Sequence, residues 1–579
     1  MRLLIPQVRP VDPAVKLGRR RVVVLGLFFA LGLTSIGIRL ADTVIGREAV
    51  APPPVAQGEV GPDPRRADIV DRNGELLATN LRVPSVFADP SQLADIDRAA
   101  ERLAAVLPGT DPSELKRRFR ASKRFAWVAP KVTPAEQEAV LALGIPGVGF
   151  RFTEQRIYPR ENLASHVIGY VDVDNQGLAG IEYGMQARLA GGAAAGNGPV
   201  ALSLDMRVQQ IVHDEVARAY HRFQAKGAVG IVMDRDSGEL LSLVSLPDFD
   251  PNRLEQASTE GRKNRATGNT YELGSLFKIL SVAMALDTGR VGMDDMFDAT
   301  LPLKIGRYTI RDDHARKRPL SVPEIFSYSS NIGTAKMVFA AGGAEPLKSF
   351  FERAGMMQKP VLEVPELARP QLPKKWPDIT TATTSFGHGI AVTPLQFVEA
   401  VAAISGDGTM VRPTLLKRAP GEQPERSQLV SQKTADALRF LMWLTVEKGT
   451  ATSARGSGYL LGGKTGTADK VDPVNGGYLH GSVLASFVGV FPIDKPRYVV
   501  LVMLDDPRGD AGTHGLRYGG WTAAPVVRDI VARIGPVLGM PPSEPVDEAH
   551  FHDRYDTQQR ADARPRGKEQ RLASVVADP

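Results

Sequence analysis

Apolar and polar positions divide the chain into stretches of different character. An uncharged run, Val22 to Ile38, comes first and is extended by Leu40-Ala41 beyond Arg39. At ~1.5 Å per residue such a helix nearly spans a hydrocarbon core of ~30 Å, provided Arg39 snorkels to the interface. Residues 51–64 (APPPVAQGEVGPDP) are Pro- and Gly-rich, a stiff spacer rather than a core. From there to about residue 150, helical stretches (Asp95–Leu107, Pro134–Leu143) alternate with short strands. Asn73-Gly74 between apolar runs predicts a hairpin closed by a type I′ turn.

Near Val200 the pattern changes. A helix is expected from about Met206 to Phe223, then two strands, Ala228–Met233 and Leu240–Leu246, joined at Asp236-Ser237-Gly238. Residues from about 268 to 444 read as mostly helical. Strands return after Gly463, at Ser482–Val490 and Tyr498–Leu504, and a last helix fits Ala523–Ile534. This order predicts an α+β fold, with one antiparallel sheet assembled from distant segments and packed with helices. Beyond Pro541 the chain is polar and mixed in charge, which reads as a disordered tail. The expected parts are a basic N-terminal tail (1–21), a membrane anchor (22–41), a linker (42–64), a pedestal or partner-binding module (65–200), a main domain (201–536) and the tail (537–579).

Charge sharpens the first of these. Arg2, Arg9, Lys16, Arg19, Arg20 and Arg21 against Asp12 give a net +5 before Val22, out of +6 for all 579 residues. The basicity is therefore a short N-terminal cluster, which speaks against a nucleic-acid partner and for a cytoplasmic N-terminus. The A-x-A at Ala49-Val50-Ala51 lies beyond Arg39, Asp42, Arg47 and Glu48, so the apolar run reads as a retained single-pass anchor of a cytoplasmic (inner) membrane rather than a cleaved signal. Everything after Ala41 is then expected outside that membrane. Cysteine is absent, which excludes disulfides and thiol chemistry, and the nine histidines show no H-x-x-x-H pair. No metal and no cofactor are expected.

Three clusters carry candidate chemistry. Ser275 and Lys278 lie three apart at the head of an apolar helix, Gly274-Ser275-Leu276-Phe277-Lys278-Ile279-Leu280, so the lysine reaches back to the hydroxyl. A buried lysine loses proton affinity and becomes a base for a serine nucleophile. A second copy of the spacing, Ser113 to Lys116, follows Asp111-Pro112 and precedes Arg117-Arg118, and reads as a solvated helix start. Ser329 and Asn331, within Ser327-Tyr328-Ser329-Ser330-Asn331, supply a hydroxyl and an amide suited to relaying a proton and orienting a substrate. Lys464, Thr465, Gly466 and Thr467 place a cation and two hydroxyls on a glycine-opened backbone, which suits a carboxylate. Gly458 to Thr465 also matches the phosphate-binding loop G-x-x-x-x-G-K-[ST]. Neither the polar residues before it nor Gly466–Pro473 after it provide the strand and helix that motif requires. No G-x-S-x-G elbow supports a Ser-His-Asp hydrolase.

In this order the three clusters resemble the penicillin-binding serine transpeptidases: S-x-x-K at Ser275–Lys278, S-x-N at Ser329–Asn331 and K-T-G at Lys464–Gly466. Arg66–Gly74 resembles the R-G-x-I-x-D-R-N-G signature of class B, with Ala67 where glycine is usual. Tyr271–Ser275 resembles its E-P-G-S approach, with Leu273 for proline. Within that class, Tyr158-Pro159, His166–Val171, Asp174–Glu182, Phe386–Gln396 and Tyr518-Gly519-Gly520 are similar to the division-type FtsI family. The resemblance implies a peptidoglycan D,D-transpeptidase of septal wall synthesis, in which an anchored pedestal carries a penicillin-binding domain. Ser275 would attack the D-Ala-D-Ala end of a stem peptide and Lys278 would take its proton. Backbone N–H groups of Ser275 and Thr467 would form the oxyanion hole. Ser329 would relay the proton to the leaving group, Asn331 would hold the peptide amide, and Lys464 would support the relay. Thr465, Gly466 and Thr467 would bind the terminal carboxylate. An amino group of a neighbouring stem would accept the acyl group, β-lactams would acylate Ser275, and a SEDS-family glycosyltransferase such as FtsW would be a partner. An elongation-type class B enzyme, a serine β-lactamase or D,D-carboxypeptidase, and a non-catalytic division scaffold are the alternatives. No E-x-x-x-N follows Ser275 of the kind that gives class A β-lactamases their deacylating base.

Overall fold

Five strands from distant parts of the chain pair antiparallel in the order Gly462–Val471, Tyr478–Phe491, Tyr498–Asp505, Gly227–Asp234, Leu240–Leu246. The computed structural model describes residues 26–27, 30–35, 66–191, 198–472, 476–544, 546–547 and 549–551. The inner strands are apolar on both faces because both faces are covered. Val229, Ile231, Met233, Leu501 and Met503 face the helical block, while Ala228, Val232, Val500, Val502 and Leu504 face helices Met206–Arg222 and Ala524–Val537. Alternation along each strand thus divides one sheet between two cores.

The expected helical block is present but is interrupted by three short ribbons. These pair Met296–Asp298 with Pro319–Ser321, Leu303–Ile305 with Tyr308–Ile310, and Thr409–Val411 with Arg426–Gln428. One strand was not legible in the pattern. Gly462–Val471 carries K-T-G, is small and polar over its first half, and is extended because it pairs with Tyr478–Phe491, Lys464 opposite Val488. It is an edge strand, so one side of its backbone is free.

Residues 66–191 build the smaller module around strands Leu76–Ala88 and Val148–Ile157, paired from Thr79↔Ile157 to Ala88↔Val148. Helices Ile96–Val106, Pro112–Ala121 and Pro134–Ala142 cover its far end through Leu103, Leu115, Phe119 and Val140. Its near end, with Ile69, Leu77 and Ile181, shares the main core. Ser113 and Lys116 lie on the helix capped by Asp111, and Lys116 pairs with Glu101 on the surface. The hairpin at Asn73-Gly74 forms, but its turn differs from the expected type I′. Gly74 has φ +88° while Asn73 stays at negative φ, and Asp71 closes the turn by accepting from the N–H groups of Asn73 and Glu75 at 2.7 and 2.8 Å.

Two further departures concern the ends. Of the expected anchor (22–41), only residues 26–27 and 30–35 are described, and these are helical. The basic tail (1–21) and the linker (42–64) lie outside the described residues. Residues 1–63 form a unit of their own, and among the described residues no helix is long and apolar enough to cross a membrane. At the other end the last helix runs to Val537. Phe551 is 6% exposed and packs on Trp443 with ring centroids 5.0 Å apart, where the polar composition predicts a free tail. Aromatic burial overrides the polar composition there. Residues 552–579 lie outside the described set.

The 66–74 and 174–182 stretches meet at one carboxylate. Glu182, fully buried, accepts from Arg66 Nε at 2.5 Å and from Arg156 Nε at 2.8 Å, and Arg66 also donates to the carbonyls of Asn175 and Glu182. Replacing Glu182 with alanine leaves two buried cations uncompensated, a loss of about 3–5 kcal/mol. Urea denaturation followed by circular dichroism should show an earlier transition for E182A; an unchanged midpoint would contradict this role for the pair.

Candidate active site

The turn that carries Ser275 begins where the backbone needs a glycine. Gly274 has φ +53°, and a Cβ there would stand 2.6 Å from the Thr467 carbonyl. Gly274–Phe277 is a 3₁₀ turn that leads into the helix Lys278–Asp287, so Ser275 sits on the turn before the α-helix rather than in it. In a 3₁₀ turn, residues i and i+3 eclipse, which sets Lys278 Nζ 3.1 Å from Ser275 Oγ. The helix is buried from Lys278 to Ala285, as its apolar sequence requires. Leu273, in the place where proline is usual, packs fully buried in the main core and keeps the turn, at φ −86°.

The S-x-N cluster lies across from this turn. Helix Val322–Ser327 ends, Ser329 adopts the left-handed region at φ +61°, and helix Asn331–Ala340 starts with Ser330 as its cap. For a residue with a side chain that conformation costs energy and is retained only where neighbours impose it. Here it turns the Ser329 carbonyl to Lys278 Nζ at 2.5 Å. Asp312 fixes the rest: Oδ1 accepts from the N–H groups of Asn331 and Ile332, and Oδ2 accepts from Ser330 Oγ at 2.7 Å.

The K-T-G strand supplies the third wall. Lys464 Nζ is 3.0 Å from Ser329 Oγ, which is itself 3.0 Å from Lys278 Nζ. Thr465 and Thr467, two apart on one face, line the cleft, and Thr465 Oγ1 is 2.7 Å from Thr450 Oγ1. A strand residue's N–H and C=O point to the same side. Since the Thr467 carbonyl faces Gly274, its N–H also faces the nucleophile turn from the free edge. Gly466 permits this approach: a Cβ there would be 2.4 Å from Ser486 Oγ, 2.7 Å from Leu276 Cγ and 2.8 Å from the Leu273 carbonyl. Lys464 on a strand excludes the phosphate-loop alternative, which needs a loop opening a helix.

Electrostatics follow from burial. Lys278 and Lys464 are both 0% exposed, and neither forms an ion pair among the described residues. Desolvation pulls Lys278 down to about 7, with Asp312 and Asp313 drawing it partly back. Lys464 is pushed well below the lysine range by burial and then by the charge of Lys278. Lys278 Nζ has four oxygens in reach: the Ser329 carbonyl, Asn331 Oδ1 at 2.7 Å, and the hydroxyls of Ser329 and Ser275. A neutral amine gives its two hydrogens to the two oxygens that can only accept, and its lone pair then faces a hydroxyl. Asn331 Nδ2 donates to the Arg311 carbonyl at 3.1 Å and keeps one N–H for a ligand.

Ser275, Ser329, Thr465 and Thr467 open into one cleft of about 340 Å³. Asp312, Asp313, His314, Tyr328, Thr450, Thr452, Ser453, Tyr518, Gly520 and Trp521 complete its lining. Among these, the sequence pointed to none of Asp312, Asp313, Thr450 and Trp521. The one available signal was weak: Asp312-Asp313 in a run of arginines, shortly before S-x-N. No group of acidic or histidine side chains able to hold a metal occurs among the described residues.

Comparison with known proteins agrees with this geometry. Residues 228–532 match the penicillin-binding protein transpeptidase domain, and residues 62–193 match the penicillin-binding protein dimerisation domain. A probable peptidoglycan D,D-transpeptidase FtsI of Caulobacter vibrioides is 38% identical over 492 residues, covering 84% of this chain and 83% of that one. A probable peptidoglycan D,D-transpeptidase PenA of Neisseria meningitidis is 33% identical over 513 residues, with 84% and 86% covered. The crystal structure of penicillin-binding protein 3 of Mycobacterium tuberculosis complexed with ampicillin superimposes with a TM-score of 0.66 at 25% identity, over 84% of this chain and 98% of that one. With both domains matched in order and the three motifs converging on a single cleft, the chain belongs to the penicillin-binding protein transpeptidases, in their class B, FtsI-type branch.

Proposed function

We propose that this chain is the D,D-transpeptidase of septal peptidoglycan synthesis and that Ser275 carries the acyl group. The observation that carries this reading is the shared hydroxyl of Ser329, within 3.0 Å of both Lys278 and Lys464, with Ser275 3.1 Å from Lys278. Neutral Lys278 accepts the Ser275 proton as Oγ attacks the penultimate D-Ala carbonyl of a stem peptide ending in D-Ala-D-Ala. The carbonyl oxygen becomes negative between the N–H groups of Ser275 and Thr467, donors fixed by the glycine-tight contact of turn and strand. The proton passes from Lys278 through Ser329 to the departing D-Ala nitrogen. Asn331 donates its remaining N–H to the peptide, and Thr465 and Thr467 bind the terminal carboxylate. That carboxylate enters beside Lys464, whose proton affinity burial has lowered, and its negative charge restores a cation where the substrate needs one. An amine from a neighbouring stem then resolves the acyl-enzyme. A β-lactam presents the same acyl carbonyl and remains as an ester on Ser275. The relative crystallised with ampicillin supports this part of the reading.

The same reading assigns 22–41 as a single-pass anchor with residues 1–21 in the cytoplasm, 65–200 as the pedestal and 201–536 as the catalytic domain. Membrane-bound division proteins, a SEDS-family glycosyltransferase among them, are its partners. The run Val22–Ile38 behind a cluster of arginines supports the topology, and the match to a dimerisation domain supports a pedestal with partners.

A depletion strain complemented with wild type or Ser275→Ala tests the assignment. Wild type should take fluorescent penicillin and restore septation, whereas S275A should take none and leave filaments. Labelling of S275A would sink the nucleophile, and rounded cells on depletion would sink the septal role. The titration of Lys278 gives a second expectation. Below about 7 the lysine holds its proton and cannot accept another, so the acylation rate constant should rise with pH through about 7 and then level. Lys278→Arg, charged throughout, should lose acylation at every pH. A pH-independent rate from 5.5 to 8.5 would contradict a neutral lysine base.

A further inference from the structure

Helix Pro394–Ser405 is buried at every position but one, and that exception, Glu399, is charged. A carboxylate on a helix otherwise committed to the core costs stability unless a partner meets it. Among the described residues Glu399 has no hydrogen bond and no ion pair. It opens instead into a cavity of about 450 Å³ between its own helix, helix Ala344–Arg353 and the ribbon of Thr409–Val411 with Arg426–Gln428. Burial pushes the Glu399 carboxyl up to about 7, with Arg412 drawing it partly back. None of the residues lining this cavity lines the cleft at Ser275.

The charges around the cavity balance, with Glu352, Glu399 and Glu425 set against Arg353, Arg412 and Arg426. Two of the arginines are committed to the backbone: Arg353 donates to the Leu429 carbonyl and Arg426 to the Asp236 carbonyl, each at 2.8 Å. Arg412 has only a loose contact with Glu425, 3.8 Å between two exposed side chains, which contributes little. The wall formed by Gly355 and Gln358 is pinned, because Gln396, one helical turn before Glu399, donates Nε2 to both carbonyls at 2.7 Å. The carboxylates do not converge as metal ligands would. An acid and a base thus face one cavity, near enough to feel each other and too far apart to pair. A lone cation entering there meets Arg412, and a lone anion meets Glu399. A molecule that carries both charges meets neither objection.

We propose that this cavity is a binding site for a small zwitterion, with Glu399 receiving its ammonium and Arg412 its carboxylate. The chemical class is a free amino acid or a dipeptide with both ends unblocked, oriented by a charge-assisted contact at each end. The cavity is of the size that holds small molecules, roughly 300–1,000 Å³.

Equilibrium dialysis of 14C-labelled alanine and alanylalanine against the full chain in detergent tests this, with the Ser275 cleft first occupied by penicillin. Wild type should hold one equivalent of at least one probe. Glu399→Gln should weaken that binding about tenfold, the loss of one charge-assisted contact, and Arg412→Ala by a similar factor. Alaninamide, which keeps only the ammonium, and propionate, which keeps only the carboxylate, should each fail to displace the probe at a concentration where the unlabelled probe displaces half of it. Circular dichroism of both variants should match wild type; should E399Q unfold, R412A, altered at an exposed side chain, decides alone. No binding by wild type, unchanged binding in R412A, or displacement by either half-molecule would overturn the assignment.

Discussion

Two lysines buried around one serine hydroxyl, with no ion pair to either among the described residues, form the constraint on which the rest of the site depends. A buried ammonium is expensive, and two facing each other cost more than one, so the pair sheds proton affinity. That cost is the basis of the proposed reactivity: it lowers Lys278 to about 7, where an amine can accept a proton near neutral pH. Asp312 and Asp313 limit the effect by drawing the proton affinity of Lys278 partly back. The Ser329 carbonyl and Asn331 Oδ1 take the two amine hydrogens, and this aims the lone pair at the hydroxyls.

Such a cluster must be held from outside, because it repels itself. The buried helix Lys278–Asp287 fixes one lysine and the edge strand Gly462–Val471 fixes the other. The contact between them is closed by glycines. Gly274 and Gly466 face atoms of the opposite element within 2.7 Å of a would-be Cβ, so a side chain at either would part the turn from the strand, and Gly519 allows the same close approach of the following helix to the sheet. Gly387 serves the nucleophile turn from behind, with the Gly274 carbonyl at 2.2 Å from the same construction. The strained φ of Ser329 belongs to the same design, since Asp312 and the capped helix after it hold the residue where relaxed backbone would not place it.

Much of this was legible in the residues, for identifiable reasons. The inner strands and their flanking helices carry apolar periodicity, so their expected limits fall within a few residues of those observed. Ser275 and Lys278 declare themselves because three-residue spacing on an apolar helix has one geometric consequence. The K-T-G strand did not, because Gly-Gly-Lys-Thr-Gly-Thr has no strand pattern of its own and is extended only through pairing with a distant partner. Asp312, Asp313 and Thr450 escaped for a related reason. Their roles exist only once the 311–318 loop and the 449–453 turn fold over the cleft, and polar residues in loops give no periodic signal. At the chain end the polar composition misled in the other direction, since a single aromatic, Phe551, suffices to seat the segment on Trp443.

The smaller module is braced internally by Glu182 with its two arginines and tied to the main domain by the Glu366 carboxylate, which accepts from the Gly180 N–H at 3.2 Å. Its near end shares the main core, so the smaller module and the five-stranded sheet domain are one mechanical piece there. The central claim nevertheless concerns charge, and it is tested most directly by observing the charge on Lys278. Lysine labelled with 13C at Cε and 15N at Nζ, with the Lys278 signal assigned by its loss in Lys278→Met, reports protonation by chemical shift across a pH titration. The account predicts a midpoint near 7 for Lys278. A Lys278 signal that stays protonated up to pH 10 would contradict it.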